Sequence, residues 1–167
     1  MAPDVLRVDQ IEIFPSGFFS LRYEFRSPMG TLGVLNLFAF RTGGRFQDAN
    51  GQEWRMGRSH QWRRDYELRA GDTVVATAQG RGALQVALDL EFQGQPYRLE
   101  PTDWWSGKWR LLGPAGTALL DIRRRGVLKP GLVLDVLGPV EGELMAFAVY
   151  LIVTIWRERA AAAAAGA

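Results

Sequence analysis

Thirteen consecutive uncharged residues, Leu144 to Trp156, lie between Glu143 and Arg157 in a chain of 167. As a helix they span about 20 Å at ~1.5 Å per residue, short of the ~30 Å that a bilayer core requires. Projected at the helical period they are apolar on every face, with polar atoms only on Tyr150 and Thr154. A helix without a polar face must be buried all round.

What precedes this run reads as one hairpin after another. Val5 to Phe14 alternates loosely, and Pro15-Ser-Gly17 turns the chain. Phe19, Leu21, Tyr23 and Phe25 share one face, with Ser20, Arg22, Glu24 and Arg26 on the other, the period of a half-buried strand. Thr31 to Phe40 is more continuously apolar and is expected to be a strand covered on both faces. Asn50-Gly51, Ala70-Gly-Asp72, Gln93-Gly-Gln-Pro96 and Gly113-Pro-Ala-Gly116 each separate two strand-like stretches. Leu84 to Phe92 alternates, and Leu132 to Leu137 is the last strand before Gly138-Pro139.

Glu141 and Glu143 open the apolar helix, while Arg157 and Arg159 close it, and both placements complement the helix dipole. The expected architecture is one domain over 1–159, a closed antiparallel β-barrel of about twelve strands around a hydrophobic C-terminal helix at about 140–159. The Ala-rich tail 160–167 extends the helix or frays. A lumen filled in this way leaves little room for a small-molecule cavity. Function is therefore expected on the outer surface or at the barrel ends.

Composition narrows the chemistry. There is no cysteine, so disulfides, thiolate catalysis and cysteine-ligated metals are excluded, and the plain reading is a cytoplasmic protein that meets a membrane at most peripherally. His60 is the single histidine and has no triad partner by motif. Gly80-Arg-Gly82 is too short for a phosphate loop, and no metal-binding His pair occurs. Neither an enzyme nor a cofactor is expected. The net charge is only +2, and its basic side is 18 Arg against 2 Lys. Together with the alanine tail, that bias is what a GC-rich genome produces.

The hairpins Phe46-Gln-Asp-Ala-Asn-Gly51 and Tyr66 to Val75, then Leu111-Leu-Gly-Pro-Ala-Gly116, then Glu143 to Trp156, carry a family likeness. The chain resembles the tubby C-terminal-like superfamily, which includes the tubby domain, the phospholipid scramblases and the LURP-one-related proteins, and it looks like a bacterial-type member. The resemblance implies a barrel around a central helix and a binding role at anionic phospholipid or phosphoinositide-like head groups. Scramblases of that group carry a cysteine-rich palmitoylation segment and an acidic calcium segment. This chain has no cysteine, and only Asp135 and Glu141 between Leu132 and Gly142. No basic pair maps onto the tubby lipid site.

Two basic stretches are the candidate phosphate-binding sites. Arg55, Arg58, His60, Arg63 and Arg64 interleave with Trp54 and Trp62, and Arg123, Arg124 and Arg125 precede Lys129. Of these, Arg58, Arg63, Arg64, Arg123, Arg124, Arg125 and Lys129 are the expected lipid contacts. The plainer accounts are a solvated connection pairing with Asp65 and Glu67, and a charged strand end that blocks edge pairing. Trp104-Trp-Ser-Gly-Lys-Trp109 reads as a membrane wedge or as a plug of the barrel end. The leading expectation is a monomeric, non-enzymatic module for anionic membrane surfaces, with nucleic acid disfavoured. Its rivals are a protein anchored by its C-terminal helix, a hollow ligand-carrying barrel with the helix outside, and a protein-interaction scaffold.

Overall fold

A computed structural model describes residues 10–17, 21–60, 64–80, 87–103, 106–126 and 128–166. Twelve strands run in order: β1 Gln10–Ser16, β2 Arg22–Ser27, β3 Gly30–Leu37, β4 Gly44–Asp48, β5 Glu53–Arg58 and β6 Asp65–Ala70. They continue as β7 Thr73–Gly80, β8 Leu88–Phe92, β9 Gln95–Pro101, β10 Trp109–Leu112, β11 Ala118–Arg124 and β12 Leu132–Val136, and helix α1 spans Gly142–Ala165. Each strand pairs antiparallel with its neighbours in sequence, and β1 pairs with β12, closing the barrel. Closure removes both sheet edges, so no backbone ladder is left open to another chain.

Alternation selects what enters the lumen. Ile11 and Ile13, Phe25, Leu35, Phe46, Trp54 and Met56, Leu68, Leu90, Trp109, Leu120 and Ile122, and Leu134 are all buried. They face α1, in which every residue from Leu144 to Ile155 is buried. The circular burial expected of an apolar helix is met because the sheet surrounds it. The wall outside is the opposite in kind. Arg26 pairs with Glu24, Arg45 and Arg55 with Glu53, Arg69 with Glu67, Arg98 with Glu100, and Arg123 with Asp135. Arg110 donates to both oxygens of Asp121 at 2.7 and 2.8 Å and holds that carboxyl below its ordinary range. An apolar lumen inside a charged wall is the inverse of a barrel that faces lipid.

Register irregularities fall at Phe25/Arg26, Leu68/Arg69 and Leu111/Leu112. They recur at every fourth strand, each beside a hairpin at the same end, where bulges tighten the twist that closure demands. The seam depends on Gly131, which has φ +116° and where a Cβ would come 2.3 Å from the carbonyl oxygen of Ile13.

Several expectations are corrected. Thr31 to Phe40 is not covered on both faces: β3 ends at Leu37, Thr31 and Asn36 are exposed, and Phe38 to Gly43 leaves as a loop. The Ala-rich tail extends the helix, one of its two expected courses, so α1 runs past the expected end at about 159 to Ala165, and Arg157 and Arg159 stand before its last turn. A solvent-open cavity of about 1000 Å³ lies at the rim beside the start of α1, where little room for one was expected. Parts of the expected first, second and eighth strands lie outside the described residues.

A charge placed in this lumen has no partner and costs several kcal/mol. Phe147→Asp is therefore expected to abolish the cooperative thermal transition seen by circular dichroism. Phe147→Leu should keep it, at a lower midpoint.

Candidate functional site

The strand directions sort every connection to one of two rims. The entry rim, where α1 begins, carries the β2–β3, β4–β5, β6–β7, β8–β9 and β10–β11 turns and the segment Leu137–Glu141. The exit rim, where α1 leaves, carries β1–β2, β3–β4, β5–β6, β7–β8, β9–β10 and β11–β12.

The rims differ in charge. The entry connections hold Asp72 and Glu141 and no basic residue. Asp48, at a strand end, and Glu143, in the first turn of α1, add to that side. Among the described residues the exit connections hold Arg41, Arg64, Lys108, Arg125 and Lys129 against Asp103, and the emerging helix adds Arg157 and Arg159 against Glu158. A chain of almost neutral net charge is thus polarised along its axis.

The described members of the expected lipid contacts, Arg58, Arg64, Arg123, Arg124, Arg125 and Lys129, map to the exit half, but they do different things there. Arg58 and Arg124 share the inward register of their strands and hold the helix. Arg58 donates through Nη2 to Glu158, and its guanidinium lies 5.7 Å from the Tyr66 ring. Arg124 stacks 4.5 Å from the Trp156 ring. On a third side Tyr23 lies near Arg157; burial raises its phenol pKa and Arg157 partly offsets this. Arg123 is spent on the wall against Asp135, at 3.1 Å. Arg125 lies 4.2 Å over the Phe14 ring and 3.8 Å from Glu12. Arg64 and Lys129 are exposed and pair with no described carboxylate. Arg63 and Trp62 lie outside the described residues, as do Trp104 and Trp105.

The two basic stretches do not form one patch. The β5–β6 and β11–β12 connections stand six strands apart on a twelve-strand ring, on opposite sides of the helix end. Trp54 and Trp109 are not surface aromatics at all but point into the core, at 5% and 1% exposure. Sequence reading missed the apolar tips. Phe40, in the β3–β4 loop, is fully exposed, and Leu128, in the β11–β12 loop, is 94% exposed. Each stands next to a cation, Arg41 or Lys129. The β1–β2 hairpin alone separates these two loops, about 20 Å along the rim at ~4.8 Å per strand. The available signal was the apolar–basic pairs Phe40-Arg41 and Leu128-Lys129 in turns.

A polar line joins the rim to the core. Tyr150, Thr154 and Glu158 lie on one helix face, opposite Arg58 and Tyr66, which are register partners. The Tyr66 and Tyr150 rings meet edge to face at 6.2 Å, and burial pushes the Tyr150 phenol strongly up. Nothing in the line resembles a nucleophile–base pair, and no metal-holding cluster occurs among the described residues. No described helix is long and apolar enough to cross a membrane.

No protein-family model and no curated protein matches the sequence. The fold is similar to the X-ray structure of a LURP-one-related protein from Arabidopsis thaliana, AT5G01750. The two share 12% identity over 87% of this chain and 90% of that one, with a TM-score of 0.62. At that identity the likeness shows the fold, a twelve-strand barrel around a C-terminal helix consistent with the tubby-like resemblance of the sequence.

Two outcomes test the polar line. Glu158→Ala strands the half-buried Arg58 and should cost about 1–2 kcal/mol in a thermal or urea melt. The same change made in an Arg58→Met background should cost less, giving a measurable coupling energy. A phenol with a raised native pKa keeps its proton after the unfolded chain has lost its own. Stability is thus whole below about pH 10 and falls as pH rises above it. Melts from about pH 8 to 11 should show that fall, and Tyr150→Phe should flatten it.

Proposed function

We propose that this chain is a bacterial-type, LURP-one-related and scramblase-like member of the tubby-like group. In this reading it is a non-enzymatic module that docks its exit rim on anionic phospholipid surfaces. The observation that carries the reading is the pairing of exposed apolar tips with exposed cations on loops that point the same way: Phe40 with Arg41, and Leu128 with Lys129. Large apolar side chains left in water on two loops of one rim mark a contact surface. Phe40 and Leu128 enter the acyl boundary, while Arg41, Arg64, Lys129, Arg157 and Arg159 face the phosphates. Each cation near such a surface contributes about 1 kcal/mol. The acidic entry rim is repelled, so the barrel stands with its axis across the membrane plane. Arg58, Arg123 and Arg124, expected as lipid contacts from sequence, serve the barrel in this reading.

The test is co-sedimentation of detergent-free protein with phosphatidylcholine vesicles, with and without phosphatidylserine, at low and high salt. Pelleting is expected only with the anionic vesicles and should weaken as salt shortens the screening length. Arg64→Glu with Lys129→Glu should weaken it by about tenfold or more. Phe40→Ser with Leu128→Ser should remove the part that survives salt. Equal pelleting on neutral vesicles, or none on either, would overturn the reading.

A further inference from the structure

The cavity at the entry rim has a construction of its own. Its floor is aromatic: Phe25 and Phe46 meet edge to face at 5.4 Å, and Phe46 and Trp54 lie 5.8 Å apart. The Phe46 ring reaches this position because residue 33 is glycine. A Cβ there would stand 2.5 Å from the ring. Ile11, Leu32 and Met145 extend the floor, and Val136, Leu137 and Val140 form one bank. Leu137 is 52% exposed, so apolar surface faces the open side. The cavity lies between the β4–β5 turn and the segment that leads from β12 into α1. Its volume is about 1000 Å³, and it is open to solvent.

Among the described residues, its charged lining groups are both acids. Asp48 accepts the backbone N–H groups of Asn50 and Gln52 through Oδ1, each at 2.9 Å, which fixes its carboxylate at the mouth. Glu143, in the first turn of α1, lines the same cavity and pairs with no described cation. No entry-rim connection supplies a basic side chain to either acid.

We propose that this cavity binds a cationic amphiphile, an alkylammonium head on an apolar body. The head sits by the carboxylates of Asp48 and Glu143, which favour a cation over an anion. The apolar body covers Leu32, Val136, Leu137 and Val140, the lining residues that are half-buried or exposed. A carboxylate head group meets like charge in the same place. The site lies at the rim opposite the proposed membrane contact, so neither reading depends on the other.

Titration calorimetry of the intact chain with dodecyltrimethylammonium, dodecanol and laurate, each below its micelle concentration, tests this. The cation is expected to bind saturably, and at least about tenfold more tightly than laurate. The Met145 methyl and Trp54 indole signals should move in step with the heat. Glu143→Gln, at a half-exposed position, should weaken the cation by about threefold or more while leaving dodecanol unchanged. Ala49→Trp, on the exposed turn at the mouth, should weaken cation and alcohol alike. Equal binding of cation and carboxylate, an equal loss for cation and alcohol in Glu143→Gln, or no saturable heat in a variant that still melts cooperatively would overturn the proposal.

Discussion

A helix with no polar face must have apolar surroundings on every side. That demand governs this molecule. One sheet face cannot cover Leu144 to Ile155; a sheet rolled onto itself can. Inward positions must then alternate with outward ones on every strand, the first strand must find the last, and all turns are forced to two rims. The remaining features, from the bulges at every fourth strand to Gly131 at the seam, are the local means of meeting that single condition.

Much of this was legible in the residues. The helix declared its burial through the absence of any charged face, and Asn50-Gly51, Gly71-Asp72 and Gln93-Gly94 marked turns by their backbone chemistry. Thr31 to Phe40 misled because continuous apolarity looks the same whether a strand is covered twice or a loop carries exposed tips. Only the end of β3 at Leu37 tells them apart. Arg157 and Arg159 misled because alanine continues a helix beyond any cap-like charge.

The candidate site was legible only in part, for a geometric reason. Arg58 and Arg64 stand close in sequence, yet one faces the lumen and the other faces water. Alternation along a strand decides this, and a count of basic residues does not. The grouping of Arg41 with Arg64, Lys129 and Arg157 is a property of the ring, because hairpins far apart in sequence share a rim. The cavity was invisible for the same reason. It lies where a short segment crosses the end of the barrel, and no residue type announces such a gap. With the wall neutralising itself pair by pair, the two ends are the places where this fold is free to differ, and they differ in both charge and shape.

The placement of the helix has a consequence for how the chain is made. All twelve strands are synthesised before the segment that fills them. Neighbouring hairpins form from short-range contacts, but the pairing of β1 with β12 joins residues more than a hundred positions apart, and the lumen is filled by a helix that follows every strand. Until α1 emerges from the ribosome, the growing chain holds an apolar inner face with nothing to cover it and two unpaired edges. Such a chain has a long interval of vulnerability to aggregation, followed by one late, concerted closure. Its demand for chaperones should therefore rise with the length of nascent chain, then end abruptly when the helix is released.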